Sequence, residues 1–172
     1  MVSDARSAAA FSTASPESLV QPIPARIGET FGRRVRLGED QIRAFAASVD
    51  DWNPLHHDVA FAQAAGYSGL IASGTQVGSL LMALTATHFT QPDAERRARA
   101  GLGLGFELRF RAPVIAGEDI ELHWTVTAIE TKPRLEGWIA RMEGEARSVR
   151  GLLMSATGTL LLRRPAPARG FS

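Results

Sequence analysis

The 172-residue sequence contains no cysteine, one tyrosine (Tyr67) and a single lysine, Lys132, among 19 basic residues. Without cysteine, disulfides, thiolate metal sites and cysteine nucleophiles are excluded. Net charge is also nearly absent, at +1. No global field exists to gather nucleic acid or an anionic membrane, so neither is expected as a partner. No apolar run approaches the roughly 20 residues that span a bilayer. The N-terminal segment around Ala8–Phe11 is too short in its apolar part for a secretory signal, so a cytoplasmic location is expected. Arginine supplies almost all the positive charge; it suits bidentate contact with phosphate, although genome composition is the preferred explanation of the bias.

What is present reads as one α+β domain. Residues 1–24 are rich in Ala, Ser, Thr and Pro without a period and are expected to be a loose leader. The domain is expected over 25–165, with a short tail at 166–172. Thr30 to Leu37 suits a strand. Asp40 is a good cap for a helix ending near Val49, because Ile42, Phe45 and Ala46 follow at helical spacing. Asp50-Asp51-Trp52-Asn53-Pro54 is turn chemistry. Asp58 suits the cap of a short helix, Val59 to Ala65, stopped by Gly66. From Gln76 to Thr85 the chain is apolar nearly all round, which predicts a helix buried on most sides. Long strands are expected at Leu102–Phe110, from Ile120 to Ala128 with Ile120, Leu122, Trp124, Val126 and Ala128 on one face, at Trp138–Val149 and at Leu152–Leu162. An antiparallel sheet around one buried helix accommodates this order.

Two polar clusters could carry chemistry. In Asp51-Trp52-Asn53-Pro54-Leu55-His56 an acid and an imidazole, five residues apart across a proline turn, can face one cavity and serve general acid–base catalysis. The same residues also read as a helix cap followed by an ordinary turn. Ser73-Gly74-Thr75 precedes the apolar helix, whose first N–H groups and dipole could meet charge developing on a carbonyl oxygen, with Gly74 permitting close approach. An ordinary helix cap at Ser73 or Thr75 is the plainer reading. His56 and His57 are adjacent and should point apart, so no metal site is expected. His88 and His123 are isolated. Arg96, Arg97 and Arg99 suit either coenzyme A phosphates or a solvated loop.

Asp51-x-Asn53-Pro54-x-His56 resembles the signature of MaoC-like (R)-specific enoyl-CoA hydratases. Gly69-Leu70-Ile71-Ala72-Ser73-Gly74 is similar to that family's entry to its central helix, and Phe110-Arg111-Ala112-Pro113-Val114 with Gly117-Glu118 to its next strand and turn. The three motifs occur in the family's order. The resemblance implies a hot-dog fold, in which an antiparallel sheet wraps around a long central helix. It implies an acyl-thioester hydratase or dehydratase, with coenzyme A or acyl carrier protein as carrier. Asp51 and His56 would be the catalytic pair, Gly74 the thioester oxygen site with Ser73 and Thr75 beside it, and Asn53 the residue ordering the loop. It further implies a homodimer joined sheet edge to sheet edge, and no metal or redox cofactor. Three positions depart from the pattern. Asp50 stands where the family often has glycine, Ser73 where many relatives have histidine, and Trp52 is bulkier than required, either narrowing the acyl pocket or packing on the core. A thioesterase on the same fold and a non-catalytic acyl-thioester-binding subunit are the alternatives.

Overall fold

A computed structural model describes residues 25–90 and 100–163. Strand β1 (Thr30–Arg36) leads to helix α1 (Glu39–Ser48), a 3-10 turn at Pro54–His56, helix α2 (Val59–Ala64) and the long helix α3 (Gly74–Thr90). Strands β2 (Ala100–Phe110), β3 (Asp119–Lys132), β4 (Gly137–Ser148) and β5 (Gly151–Arg163) follow. All pair antiparallel in one sheet of order β1-β3-β4-β5-β2, which leaves β1 and β2 as its edges. The leader expected at 1–24, the arginines at 96, 97 and 99, and the tail lie outside the described residues.

Period-two burial builds the core. Ile120, Leu122, Trp124 and Val126 point inward from β3 and meet Met142 and Ala146 of β4, Met154 and Leu160 of β5, and Leu81 of α3. Trp124 is fully buried and its indole N–H donates to the Leu81 carbonyl at 2.8 Å, tying sheet to helix. Burying such a ring removes about 150–250 Å² from water, an upper bound of about 4–6 kcal/mol. Gly144 makes room for it, since a Cβ there would stand 2.5 Å from the ring.

Several boundaries differ from the sequence expectation. The cap of α1 is Gly38, not Asp40: the Gly38 N–H is received by Gln41 Oε1 at 2.9 Å, and Glu39 and Asp40 fall in the first turn, where the helix dipole favours negative charge. Asp58 does cap α2, accepting the Phe61 N–H at 3.1 Å, and α2 is followed by Gly66 at φ +92°. Ala128 does not continue the inward face of β3, because the register shifts between Val126 and Ala128 and Ile129 packs on the core instead. Helix α3 runs five residues beyond Thr85, far enough to bury Phe89. Nor is it enclosed all round: Thr75, Ser79, Ala83, Ala86, Thr87 and Thr90 form an exposed stripe of short side chains.

Candidate active site

The site begins where α1 stops. Asp50 takes the left-handed conformation, φ +56°, and the chain closes on the helix with Asp50 N–H to the Ala47 carbonyl at 3.2 Å and Asp51 N–H to the Ala46 carbonyl at 2.9 Å. Glycine enters that conformation freely and aspartate is among the few side chains that tolerate it. The position therefore needs a backbone shape, and exposed Asp50 provides it. Asp51 follows directly. Its Oδ1 accepts the Asn53 N–H at 3.2 Å, and Asn53 Oδ1 in turn accepts the Leu55 N–H at 3.1 Å, capping the 3-10 turn that carries His56. His57 turns the other way: its Nε2–H donates to the Asp51 carbonyl at 2.8 Å, and its ring stacks on Trp52 at 5.3 Å. Two adjacent histidines thus do separate work, one bracing the acid's backbone and one facing its carboxylate.

His56 is 7% exposed. Its Nδ1 lies 2.8 Å from the Ile71 carbonyl, and a carbonyl can only accept, so Nδ1 carries the proton. In the neutral ring Nε2 then presents a lone pair. Asp51 Oδ2 lies 3.4 Å from that nitrogen. With the ring neutral, two acceptors, a carboxylate oxygen and an imidazole nitrogen, face each other across that gap. A water molecule that donates one hydrogen to each satisfies both.

Gly74 opens α3, and neither its N–H nor that of Thr75 finds an acceptor among the described residues. Free N–H groups at the positive end of a helix favour an oxygen that gains negative charge. The Ser73 and Thr75 hydroxyls bond each other at 2.8 Å, which uses one of their two protons. A Cβ on Gly74 would stand 2.7 Å from the Phe110 ring, so the aromatic side chain covers the glycine closely. His56, Ile71, Ser73, Gly74, Thr75 and Val77 share a cavity of about 440 Å³ with Phe110–Val114, Leu153 and Met154.

The structure thus gathers His56, Ser73, Gly74 and Thr75 on one cavity, with Asp51 against the His56 ring and Asn53 holding the loop. Trp52 is corrected: it is 67% exposed, lies neither in the core nor on the cavity, and packs on His57. His88 stacks on Phe31 and pairs with Glu29 at 2.7 Å, away from this cavity. Among the described residues no three His, Asp or Glu side chains converge as metal ligands, and no helix is long and apolar enough to cross a membrane. The sequence reading missed the Ile71 carbonyl and the β5 residues Leu153 and Met154. Ile71 lies inside the quoted Gly69–Gly74 motif, but the β5 pair carries no signal beyond strand periodicity.

Comparison with known proteins identifies the family and the fold. The MaoC-like domain pattern matches residues 21–141. The (R)-specific enoyl-CoA hydratase of Aeromonas caviae is 32% identical over 108 residues, 62% of this chain and 75% of that enzyme. A UPF0336 protein of Parafrankia sp. (strain EAN1pec) is 30% identical over 142 residues, 78% of this chain and 88% of its own. Among solved structures, the (R)-hydratase from A. caviae involved in PHA biosynthesis matches with a TM-score of 0.68 at 26% identity, covering 82% of this chain and 98% of that one. The sheet order, the helix it embraces and the matched pattern together place the chain, a hot-dog fold, in the MaoC-like dehydratase family.

Proposed function

We propose that the protein adds water to trans-2-enoyl thioesters to give (R)-3-hydroxyacyl thioesters, and catalyses the reverse dehydration, with Asp51 and His56 as the catalytic pair. The observation that carries the reading is the 3.4 Å meeting of two acceptors, Asp51 Oδ2 and His56 Nε2, beside a cavity that also holds the free end of α3. Water held by the pair is aimed at the β-carbon. As its oxygen bonds there, the alkene electrons move toward the thioester and place negative charge on the carbonyl oxygen, which the Gly74 N–H receives. The pair takes one proton from the attacking water, and that same proton is returned to the α-carbon, so that the OH and H of one water add across the double bond and both side chains end as they began. Ile71, Val77, Val114, Leu153 and Met154 offer the acyl group an apolar wall. The addition is redox-neutral, and base, acid and N–H donor all come from the chain, so the reading calls for no cofactor. Among the described residues β2 is an edge strand, and it exposes Leu102 and Leu104, which supports a homodimer joined along that edge.

The test uses purified protein and trans-2-enoyl-CoA esters of graded chain length, following loss of the conjugated-thioester absorbance, with the product's configuration read by chiral chromatography. An (R)-3-hydroxyacyl-CoA is expected from a dimer of the 18.5 kDa chain in sedimentation. Release of free coenzyme A in its place, or no consumption at any chain length, would refute the assignment.

A further inference from the structure

The most heavily bonded carboxylate near the cavity is not Asp51 but Glu118, on the turn that carries the cavity wall into β3. Its side chain is 10% exposed. Arg150, in the β4–β5 turn, grips it twice, Nε to Oε1 at 2.8 Å and Nη2 to Oε2 at 2.7 Å. The same Nη2 donates to the Pro113 carbonyl at 2.6 Å, and Glu118 Oε2 also accepts the Ile115 N–H at 3.2 Å. Burial alone would raise the Glu118 pKa; the Arg150 bonds, the Ser148 hydroxyl and the Ile115 N–H together hold it below the usual carboxylate range.

This clamp fixes more than a turn. The segment it holds is bonded to the segment that holds His56: Ala72 N–H donates to the Val114 carbonyl and Ala116 N–H to the Leu70 carbonyl, each at 2.8 Å, with Ile71 bridged to Ile115 between them. Ile71 is the residue whose carbonyl receives His56 Nδ1–H. We propose that Glu118 and Arg150 are positioning residues for His56, and that their clamp sets where the Ile71 carbonyl stands and hence the tautomer and aim of the imidazole. The proposal rests on the reading of His56 as catalytic.

Glu118→Gln keeps the volume but leaves one oxygen for the two Arg150 N–H groups, the Ser148 hydroxyl and the Ile115 N–H, and turns an NH₂ toward the guanidinium. We expect kcat for enoyl-CoA hydration to fall about tenfold to a hundredfold, as misplacement of a catalytic group does, with KM within about threefold of wild type. Placed in a His56→Ala background the same change should cost nothing further. Nitrogen–proton correlation spectra of the imidazoles, with the His56 signal identified by its loss in His56→Ala, should show the Nδ1–H form weakened in Glu118→Gln. Arg150→Lys, which keeps the charge but loses the fork, should move both readouts in the same direction and serves if Glu118→Gln does not fold. Wild-type kcat with an intact Nδ1–H signal, or an equal loss in the His56→Ala background, overturns the proposal. The spectra need no substrate, so they decide the clamp even where a wild type inactive on every enoyl-CoA defeats the hydratase reading.

Discussion

Asp51→Asn is the sharpest perturbation because the structure dictates which way the new amide faces. Asp51 Oδ1 receives the Asn53 N–H at 3.2 Å, so the carboxamide oxygen must take that place. Its NH₂ then points at His56 Nε2, 3.4 Å away in the native pair. A donor now covers the lone pair that should hold water, and the base and the water site are lost in one substitution. Removing a general acid–base group costs about 10²–10⁴ in rate, about 3–5.5 kcal/mol on the barrier, and the upper half of that range is expected here. Stability should hardly move, since the new NH₂ to Nε2 bond contributes at most about 1 kcal/mol, or about 4 °C in Tm for a chain of this size. Asp51→Ala makes the contrast. It leaves the Asn53 N–H unpaired but reopens space for solvent, so it should melt lower and turn over no more slowly than Asp51→Asn. Initial rates on a trans-2-enoyl-CoA and calorimetric melts measure both. An Asp51→Asn enzyme within tenfold of wild type, or one clearly faster than Asp51→Ala, would refute the reasoning.

At the end of α1, Asp50→Gly should raise stability by up to about 1 kcal/mol and Asp50→Val lower it by about 1–2, because φ +56° is free to glycine and strained for a β-branched residue; urea unfolding checks the opposite signs. The lowered pKa of Glu118 makes its clamp a source of acid sensitivity. A group whose folded pKa is depressed contributes stability that is present above its unfolded value, near 4.5, and is lost as pH falls through the folded value. Melts of wild type and Arg150→Ala should therefore differ at pH 7 and converge toward pH 3, and a constant gap would contradict the ion pair's role.

Much of this architecture could be read from local pattern, and the reason is physical. Strand alternation around Leu122, Trp124 and Val126, the Asp58 cap and the stop at Gly66 are interactions within a few residues, which a sequence displays directly. The motif Asp51-x-Asn53-Pro54-x-His56 has internal bonds that span two residues each, yet its spacing alone reads as a cap and turn, and only its resemblance to a family signature singled it out. The bonds that hold the site in place are not local. His56 meets a carbonyl 15 positions on, and Arg150 meets a carboxylate 32 positions back. Nothing in either residue's neighbourhood names its partner. Trp52 misled because bulk beside an acid suggests a pocket wall, whereas the turn at Asp50 swings the ring outward onto His57. The inward face of β3 was misjudged at Ala128 because a register shift leaves no mark on composition.

The carbonyl of Ile71 has a stereochemical corollary. With one ring nitrogen permanently engaged by the main chain, the imidazole can trade hydrogen ions through a single doorway, the nitrogen that looks toward Asp51. Whatever such a ring delivers and whatever its neighbour delivers must approach a planar substrate from one side. An addition so arranged would be syn, with both new bonds on one face of the double bond, and the peptide oxygen that aims the ring never touches the substrate.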